Sequence, residues 1–544
     1  LRTQEAELSK VTRDYFELCQ ELFLERFAIP VYDWCKQNKL IFTGHVLHED
    51  SLACQAVMQG SLMRFYEYMD YPGIDILSEG NRCYWVAKQI SSVARQLDKE
   101  WVLSELYGCT GWQMDFEDYK NVGDWQALFG VNLRCPHLSW YTMKGEAKRD
   151  YPASILHQSG WYQDYRYVED YFSRIHAVLH GGKPACELLV INPIESVWAR
   201  AYSGAFDGLA AADGEMKRLE AQYASLFHML AGNRIDFDYG EEDILARHGR
   251  VEDCVLYVGK AAYRKVLVAG MDTMRRSTLH LLETFAAQGG EVIFAGEVPG
   301  YMDVEPSEEP GKLAETCIRI NFTEQEVARA CRSGHEVGIV RTGDGGQKEN
   351  TENQDLFAQA FEIEGGRVIM VLNVNREQGY NGITLDLGEG SCLEAWEARS
   401  GRVTEPQYRV EDGRILITID LEKGGERLYI IPDSKRELPG AEAFSGQEKV
   451  ALPDSFSYRL SERNICVLDM VSVTDSQGRE FPCMEVLKAD RALRDQLGIP
   501  YRGGEMLQPW YQVKYKGGNT KLLDIVCLRY EVNIEEMLGS FQAG

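Results

Sequence analysis

Short apolar segments typical of β-strands alternate with helix-like stretches in the N-terminal part of the chain, and this alternation restricts the fold more than any other feature. The strand-like segments before residue 151 are LIFTGHVL at 40–47, GIDIL at 73–77, WVLSELYG at 101–108 and GVNLRC at 130–135. Alternation of strands and helices is typical of βαβ units, whose strands form a parallel sheet. Ligands of such sheets contact the loops at the C-terminal ends of the strands. Polar residues at those ends are therefore candidates for a functional site.

Four strands of this kind precede residue 151, whereas a closed (β/α)8 barrel requires eight strands and about 250 residues. Two interpretations follow: an open sheet, or the C-terminal part of a TIM barrel whose N-terminal half lies upstream. The chain begins with Leu1 rather than Met, which favours the second interpretation. We therefore expect residues 1–205 to form the C-terminal part of a TIM-barrel domain, with ELLVINP at 187–193 as one more of its strands.

Three further domains are predicted from the remaining pattern. Val-rich strands that end in glycine, separated by helices, predict a flavodoxin-like α/β domain over residues 210–330. Its segment VAGMDTM lacks the G-x-G-x-x-G fingerprint, so we expect no nucleotide cofactor. Short alternating strands and turns predict a β-sandwich over 355–435 and a further β-rich, galactose-binding-like domain over 445–544. The predicted fold class is thus α/β plus all-β: a (β/α)8 TIM-barrel portion, a flavodoxin-like domain and C-terminal β-sandwich domains.

The charge balance excludes several classes of partner. The chain of 544 residues carries 84 acidic and 58 basic residues, a formal net charge of −26. Such a surface repels nucleic acid and anionic lipid, and no apolar run reaches the roughly 18 residues that a membrane-spanning helix needs. Fourteen cysteines without CxxC pairs are typical of a reduced, cytoplasmic protein. The oligomeric state stays open.

Glu105 is the first candidate for chemistry. It lies within the apolar segment VLSELYG. Burial of an unpaired carboxylate there would destabilise the fold, so its presence indicates a specific role. One interpretation is a catalytic carboxylate at the end of a strand. The alternative is a structural carboxylate paired with an arginine or lysine in the core.

Aromatic and polar residues near the other strand ends are what a sugar pocket requires, because a sugar ring has apolar C–H faces and a rim of hydroxyls. For Glu49 the alternative is a cap on the helix that begins near Ser51, and for His45 it is a core histidine. The predicted substrate-binding residues are His45, Glu49, Asp75, Trp112, His137 and Tyr141.

Several of these residues lie in an ordered set of motifs. The segments FTGHVLHE, MDYPGID, VLSELYGCTGW, HLSWYTMKGEAKRDYP and LLVINPIESVW occur in this order within residues 10–200. Together they resemble the catalytic core of large multidomain bacterial proteins of glycoside hydrolase family 106, the α-L-rhamnosidases. The resemblance implies a terminal-sugar hydrolase with two catalytic carboxylates, an oxocarbenium-like transition state, an inverting mechanism and a calcium ion at the sugar site.

Under that resemblance Glu105 is the base that activates water, or the nucleophile of a retaining enzyme. No earlier strand offers a carboxylate before residue 40, so the general acid is expected upstream, with Glu49 as the in-chain substitute. Two alternatives stay open. One is a retaining β-galactosidase or β-glucuronidase with the same domain order, and the other is a noncatalytic carbohydrate-binding scaffold.

Overall fold

The computed structural model describes residues 8–78, 80–110, 114–139, 159–341, 355–440, 470–499 and 524–531, with a few isolated positions between them. The chain divides into two units, Leu1–Ala443 and Phe444–Gly544. Within the described residues, no helix has both the length and the apolar character to cross a membrane.

Four parallel strands form the first sheet, and they neighbour one another in chain order. Their register places Asp75 beside Glu105 and Glu105 beside Cys135. Because register partners on adjacent strands point to the same face, the side chains of Asp75 and Glu105 project together. The four strands do not close into a barrel among the described residues. They are Thr43–Gly44, Tyr71–Asp75, Leu103–Leu106 and Leu133–Pro136.

Helices connect and flank these strands. Ser9 and Ser51 cap two of them through their hydroxyls, and Asp115 forms a capping box with Asp118. A π-helical turn precedes Pro30, which lacks an amide hydrogen, so the first helix continues past this proline. The helical segments are Lys10–Phe23, Leu24–Ala28, Ile29–Gln37, Leu52–Met58, Leu62–Tyr66, Tyr84–Gln96, Phe116–Leu128, Tyr162–Asp164 and Arg166–Leu179.

Five parallel strands form the second sheet. Across the sheet they are Ile318–Ile320, Glu291–Ala295, Lys265–Ala269, Leu188–Ile191 and Asp238–Gly240. Numbered along the chain, the order is 2-1-3-4-5, which is the flavodoxin-like order of doubly wound sheets.

The strand within ELLVINP belongs to this second sheet, so its assignment to the barrel portion is wrong. Leu188–Ile191 pairs with Lys265–Ala269 on one side and Asp238–Gly240 on the other. All four of its residues are buried, as a central parallel strand requires. The α/β domain therefore begins near residue 188 rather than 210.

Helices and small sheets surround the second sheet. The helices are Ile194–Arg200, Gly214–Gly232, Glu242–His248, Arg276–Ala287, Glu309–Thr316 and Glu324–Cys331. The short strands are Phe206–Asp207, Ala210–Ala211, Gly249–Glu252, Val255–Val258, Ala261–Tyr263, Thr273–Met274, Tyr301–Met302 and Glu305–Pro306.

Two antiparallel sheets follow and share a core of their own that includes Ile369, Leu385 and Ile415. The first consists of Gly338–Arg341, Tyr380–Glu389, Arg414–Leu421 and Arg409–Glu411. The other consists of Arg402–Thr404, Glu394–Glu397, Glu426–Pro432, Gly366–Asn373, Leu356–Ile363 and, at its edge, Lys183–Pro184.

Among its described residues, the unit Phe444–Gly544 contains a three-stranded antiparallel sheet and one helix. Val471, Val473 and Ala489 are its buried apolar residues among those described. Its elements are the strands Met470–Thr474, Glu480–Glu485 and Cys527–Arg529 and the helix Val486–Leu497.

A buried arginine joins the two parallel sheets. Arg64, 1% exposed, lies on the helix Leu62–Tyr66. Its guanidinium donates to Glu241 at 2.6 Å, to Glu195 at 2.9 Å and to Glu17 at 3.0 Å. Glu195 and Glu241 follow the first two strands of the second sheet, and Glu17 lies on the first helix. The chain's own ion pairs thus fill part of the region outside the carboxyl ends of that sheet.

We expect Arg64→Ala to lower the free energy of unfolding by about 3–5 kcal/mol, because removal of the cation leaves buried carboxylates unpaired. The measurement is urea denaturation followed by tryptophan fluorescence. Arg276→Ala is the control, since the Arg276 side chain is 65% exposed and exposed ion pairs contribute about 0–1 kcal/mol. Equal losses in the two variants would contradict the structural role of Arg64.

Candidate active site

Three ionisable side chains meet at the C-terminal edge of the first sheet. Asp75 ends the second strand, Glu105 lies in the third, and His45 follows the first. One nitrogen or oxygen atom from each lies within 4.8 Å of the other two. The side chains of His45, Glu105 and Asp75 are 27%, 25% and 18% exposed. A small polar ligand can therefore reach them.

A hydrogen bond joins His45 to Glu105. The Nε2 atom of His45 lies 2.7 Å from Oε2 of Glu105. The Nδ1 atom contacts the carbonyl oxygen of Val46, which only accepts a hydrogen bond, so Nδ1 carries a proton. With a second proton at Nε2, His45 is an imidazolium and the contact with Glu105 is a charge-assisted hydrogen bond.

The surroundings of His45 favour this charged form. Burial on its own lowers the pKa of His45, but the Val46 carbonyl and the carboxylates of Asp75 and Glu105 outweigh it, and the net result is a raised pKa. Asp75 Oδ2 lies 4.0 Å from Nδ1 of His45. An imidazolium at this position contacts Glu105 and lies near Asp75, so the charges of the cluster attract one another.

A second histidine faces Glu105 from the end of the fourth strand. The Nε2 atom of His137 lies 3.6 Å from Oε1 of Glu105, and its Nδ1 atom lies 3.0 Å from the carbonyl oxygen of Leu138. A Cβ atom at Gly108 would come within 2.8 Å of the His137 ring, so the glycine permits this close approach. Both oxygens of Glu105 therefore face an imidazole.

The loop after Glu105 has an unusual backbone. Tyr107 and Cys109 have φ angles of 71° and 57°, in the left-handed region that side-chain-bearing residues rarely adopt. The Tyr107 hydroxyl accepts a hydrogen bond from Arg134 at 2.8 Å and donates to the carbonyl of Tyr119 at 3.2 Å. These bonds hold the strained loop in place, and such strain is concentrated at functional sites.

Glu49 supports the site from inside the protein. It is 1% exposed, accepts the backbone N–H of Asp75 at 2.9 Å and accepts the hydroxyl of Tyr66 at 3.2 Å. Burial raises the pKa of Glu49 to about 8, so the group is mostly protonated at neutral pH. Ser51 caps the following helix. The structure therefore places Glu49 behind Asp75, neither lining the open site nor capping a helix.

Asp75 lies at the boundary between this interior and the open site. Burial raises its pKa, although the positive charge of His45 acts in the opposite direction. Its Oδ1 atom is buried and has no hydrogen-bond partner among the described residues.

The structure brings four of the predicted site residues together: His45, Asp75, Glu105 and His137. Trp112 and Tyr141 lie outside the described residues. Within the described chain, Glu105 pairs with histidines rather than with an arginine or lysine, which does not fit the structural interpretation. Sequence reasoning missed Tyr66, whose apolar helix gives no sign of its bond to Glu49.

Calcium does not fit the cluster of His45, Asp75 and Glu105. Calcium takes six to eight oxygen ligands, whereas this group offers one imidazole nitrogen and two carboxylates. Imidazole is a ligand for transition metals instead, and a metal bound at Nε2 would replace the hydrogen bond to Glu105. This cluster therefore does not fit the calcium ion that the family resemblance implies, and calcium at another place in the protein stays a prediction.

No protein-family model matches the chain, and no curated protein matches it. Among solved structures, the chain is similar to a rhamnosidase from Novosphingobium sp. PP1Y. The TM-score is 0.56 at 16% identity, with 82% of this chain and 40% of the other covered. It is also similar to a family GH42 exo-carrageenase from Bacteroides ovatus, with a TM-score of 0.51 at 10% identity over 78% of this chain and 56% of the other.

These likenesses show that the chain has a fold found in glycoside hydrolases. The chain spans less than two thirds of the length of either structure. Assignment to family 106 and the identity of the substrate are finer statements, which the likeness of folds does not decide.

We expect Glu49→Gln to change how stability depends on pH. The folded protein keeps the Glu49 proton up to about pH 8, whereas an unfolded glutamate releases it near about pH 4.3. Wild-type stability is therefore lost as pH rises between these values, and glutamine removes this dependence. The free energy of unfolding of Glu49→Gln minus that of wild type should increase steadily from pH 5 to pH 8 in urea denaturation.

Glu25→Gln is the control for this series, because Glu25 is exposed and its replacement should give the same difference at every pH. A flat difference for Glu49→Gln as well would show that Glu49 is ionised in the folded protein.

Proposed function

We propose that the protein is a glycoside hydrolase in which Glu105 is the reacting carboxylate. The observation that carries this proposal is the position of Glu105 at the C-terminal edge of a parallel sheet, partly exposed, with His45 at 2.7 Å and Asp75 as its register neighbour. Glycoside hydrolysis uses a carboxylate at the anomeric carbon, where positive charge develops in the transition state.

In its imidazolium form, His45 donates a hydrogen bond to Glu105 at 2.7 Å. An ionised Glu105 can take a proton from the attacking water, as in an inverting enzyme, or bond to the anomeric carbon, as in a retaining one. His137 contacts the second oxygen and helps to fix the orientation of the carboxylate. Asp75 is placed to accept a hydrogen bond from a sugar hydroxyl.

Asp75 does not suit the role of general acid opposite Glu105. The two catalytic carboxyl groups of a glycosidase stand on either side of the sugar, at least about 5 Å apart, but Asp75 and Glu105 are register neighbours on adjacent strands, with one oxygen of each within 4.8 Å of the other. We therefore place the general acid outside the described residues.

The open edge of the first sheet is evidence for further βα units, which would carry the general acid. Thr43–Gly44 has a strand neighbour on one side only, and parallel sheets are normally covered. The first helix exposes an apolar row at Val11, Tyr15, Leu18 and Leu22, between 81% and 43% exposed. We propose that further βα units cover this edge and row and complete the barrel.

The proposed substrate is a neutral glycan or glycoside, most directly one with a terminal α-L-rhamnose. The ordered motifs and the likeness to the rhamnosidase fold support this choice, and the net charge of −26 disfavours polyanions. A retaining β-galactosidase or β-glucuronidase stays the second candidate, because the predicted order of domains does not distinguish it from a rhamnosidase. The cytoplasmic location and the lack of a nucleotide cofactor stay predictions.

We expect Glu105→Gln to reduce hydrolysis of 4-nitrophenyl α-L-rhamnopyranoside by about 10²–10⁴-fold, as loss of a catalytic base does. The same assay with 4-nitrophenyl β-D-galactopyranoside tests the second candidate. Glu100→Gln is the matched control, since Glu100 precedes the same strand at its opposite end and is 67% exposed.

Near wild-type turnover by Glu105→Gln would show that Glu105 is structural. Sugar binding by the wild-type protein without turnover of either substrate would instead support the noncatalytic scaffold. Proton NMR of the first product anomer separates inversion from retention.

A further inference from the structure

A polar cavity of about 280 Å³ lies at the carboxyl edge of the second sheet. Its walls come from two helices and from the loops after Lys265–Ala269 and Glu291–Ala295. In doubly wound sheets this edge is where ligands bind. None of the lining residues belongs to the first sheet or to the cluster around Glu105.

Asp272 fixes two arginines in the wall of the cavity. Its Oδ2 atom accepts from Nε of Arg200 at 2.5 Å, and its Oδ1 atom accepts from Nη2 of Arg218 at 2.6 Å. The backbone N–H of Asp272 donates to the hydroxyl of Ser196 at 2.9 Å. The two guanidinium groups are thus held in place before any ligand arrives, which lowers the entropic cost of binding.

Several polar groups of the cavity are left for a ligand. The amide nitrogen of Gln222, the carboxylate of Glu297 and the hydroxyl of Tyr301 form no hydrogen bond with the part of the chain that the structure describes. The amide oxygen of Gln222 accepts a hydrogen bond from Arg218 at 2.8 Å. This bond fixes the orientation of the amide, and its nitrogen remains as a donor. Donors and an acceptor therefore line one small space.

A close approach of helix and strand shapes the floor of the cavity. Gly270 has a φ angle of +61°, and a Cβ atom there would lie 3.2 Å from Cβ of Gln222. A larger residue at this position would be strained and would press on Gln222. The glycine therefore lets the helix Gly214–Gly232 bring Gln222 to the loop.

The charges of the cavity favour a neutral ligand. The lining contains Arg200 and Arg218, but also Asp272 and Glu297, so its formal charges cancel. Asp272 is already shared by the two guanidinium groups, and Glu297 would repel an anion. Charged side chains of both signs, held close together, match the vicinal hydroxyls of a sugar, which both donate and accept hydrogen bonds.

The size and the apolar part of the lining agree with a sugar. The volume lies just below the range of about 300–1,000 Å³ that holds drug-sized ligands, so the space suits a single ring. Val298 and Tyr301 are partly exposed in this mostly polar lining, so they leave a small apolar surface that the C–H face of a pyranose can contact.

We propose that this cavity is a second carbohydrate-binding site, which holds one neutral pyranose ring apart from the site around Glu105. A binding site of this kind would hold a glycan or a released sugar while the first sheet carries the chemistry. The proposal does not depend on whether Glu105 is catalytic.

The test uses the full protein with Glu105→Gln, so that turnover does not disturb binding. The probes are D-galactose and L-rhamnose, with inorganic phosphate as the anionic comparison. Isothermal titration calorimetry measures affinity, and hydrogen–deuterium exchange by mass spectrometry reports protection of residues 297–301. Sugar should protect this segment, and the double variant Gln222→Ala/Glu297→Ala should weaken that binding by at least about tenfold, because it removes two hydrogen bonds.

The control is Glu283→Ala/Gln288→Ala, which changes the same residue types at exposed positions of a different helix and its end and should leave protection unchanged. Lack of protection by either sugar, or protection that survives Gln222→Ala/Glu297→Ala, would overturn the proposal. Stronger protection by phosphate than by sugar would assign the cavity to anions instead. A failure of hydrolysis at Glu105 would leave this measurement unaffected.

Discussion

The ion pairs of Arg64 hold the two parallel sheets together, and the candidate active site depends on them. Arg64 is bonded to Glu195 and Glu241 of the second sheet. The same short helix carries Tyr66, whose hydroxyl bonds to Glu49, and Glu49 in turn fixes the backbone of Asp75. A continuous series of contacts therefore runs from the second sheet to the side chains around Glu105. Removal of any one member of a buried group of one cation and three carboxylates destabilises the fold. Few substitutions are therefore tolerated at these four residues.

Strand patterning was enough to find the reachable part of the site. Glu105, His45, Asp75 and His137 lie at strand ends, and the C-terminal ends of parallel strands meet at one edge, so their proximity follows from local pattern. The burial of Glu49 could not be predicted, because it results from long-range contact with Tyr66. The strand Leu188–Ile191 was placed in the wrong sheet because a short apolar run is the same in any buried parallel strand, and only its pairing with Lys265–Ala269 decides between the sheets.

The two sheets use their carboxyl edges differently. At the first sheet, ionisable side chains stay within reach of solvent, and His45 contacts Glu105 directly. At the second sheet, Arg64 and Arg275 are bonded to Glu195, while the neighbouring cavity around Asp272 stays open. This difference agrees with the two proposals, which assign chemistry to the first edge and sugar binding to the second.

Azide rescue tests the role of Glu105 most directly, because azide attacks the anomeric carbon without a base: it replaces the water that an inverting enzyme activates, or the missing nucleophile of a retaining enzyme. The experiment uses the full protein with Glu105→Ala and 2,4-dinitrophenyl α-L-rhamnopyranoside, with Glu100→Ala as the comparison. We expect azide to increase turnover by Glu105→Ala alone and to yield a glycosyl azide, identified by NMR and mass spectrometry. If wild type hydrolyses the substrate but folded Glu105→Ala forms no glycosyl azide at any azide concentration, Glu105 is neither the base nor the nucleophile of the reaction.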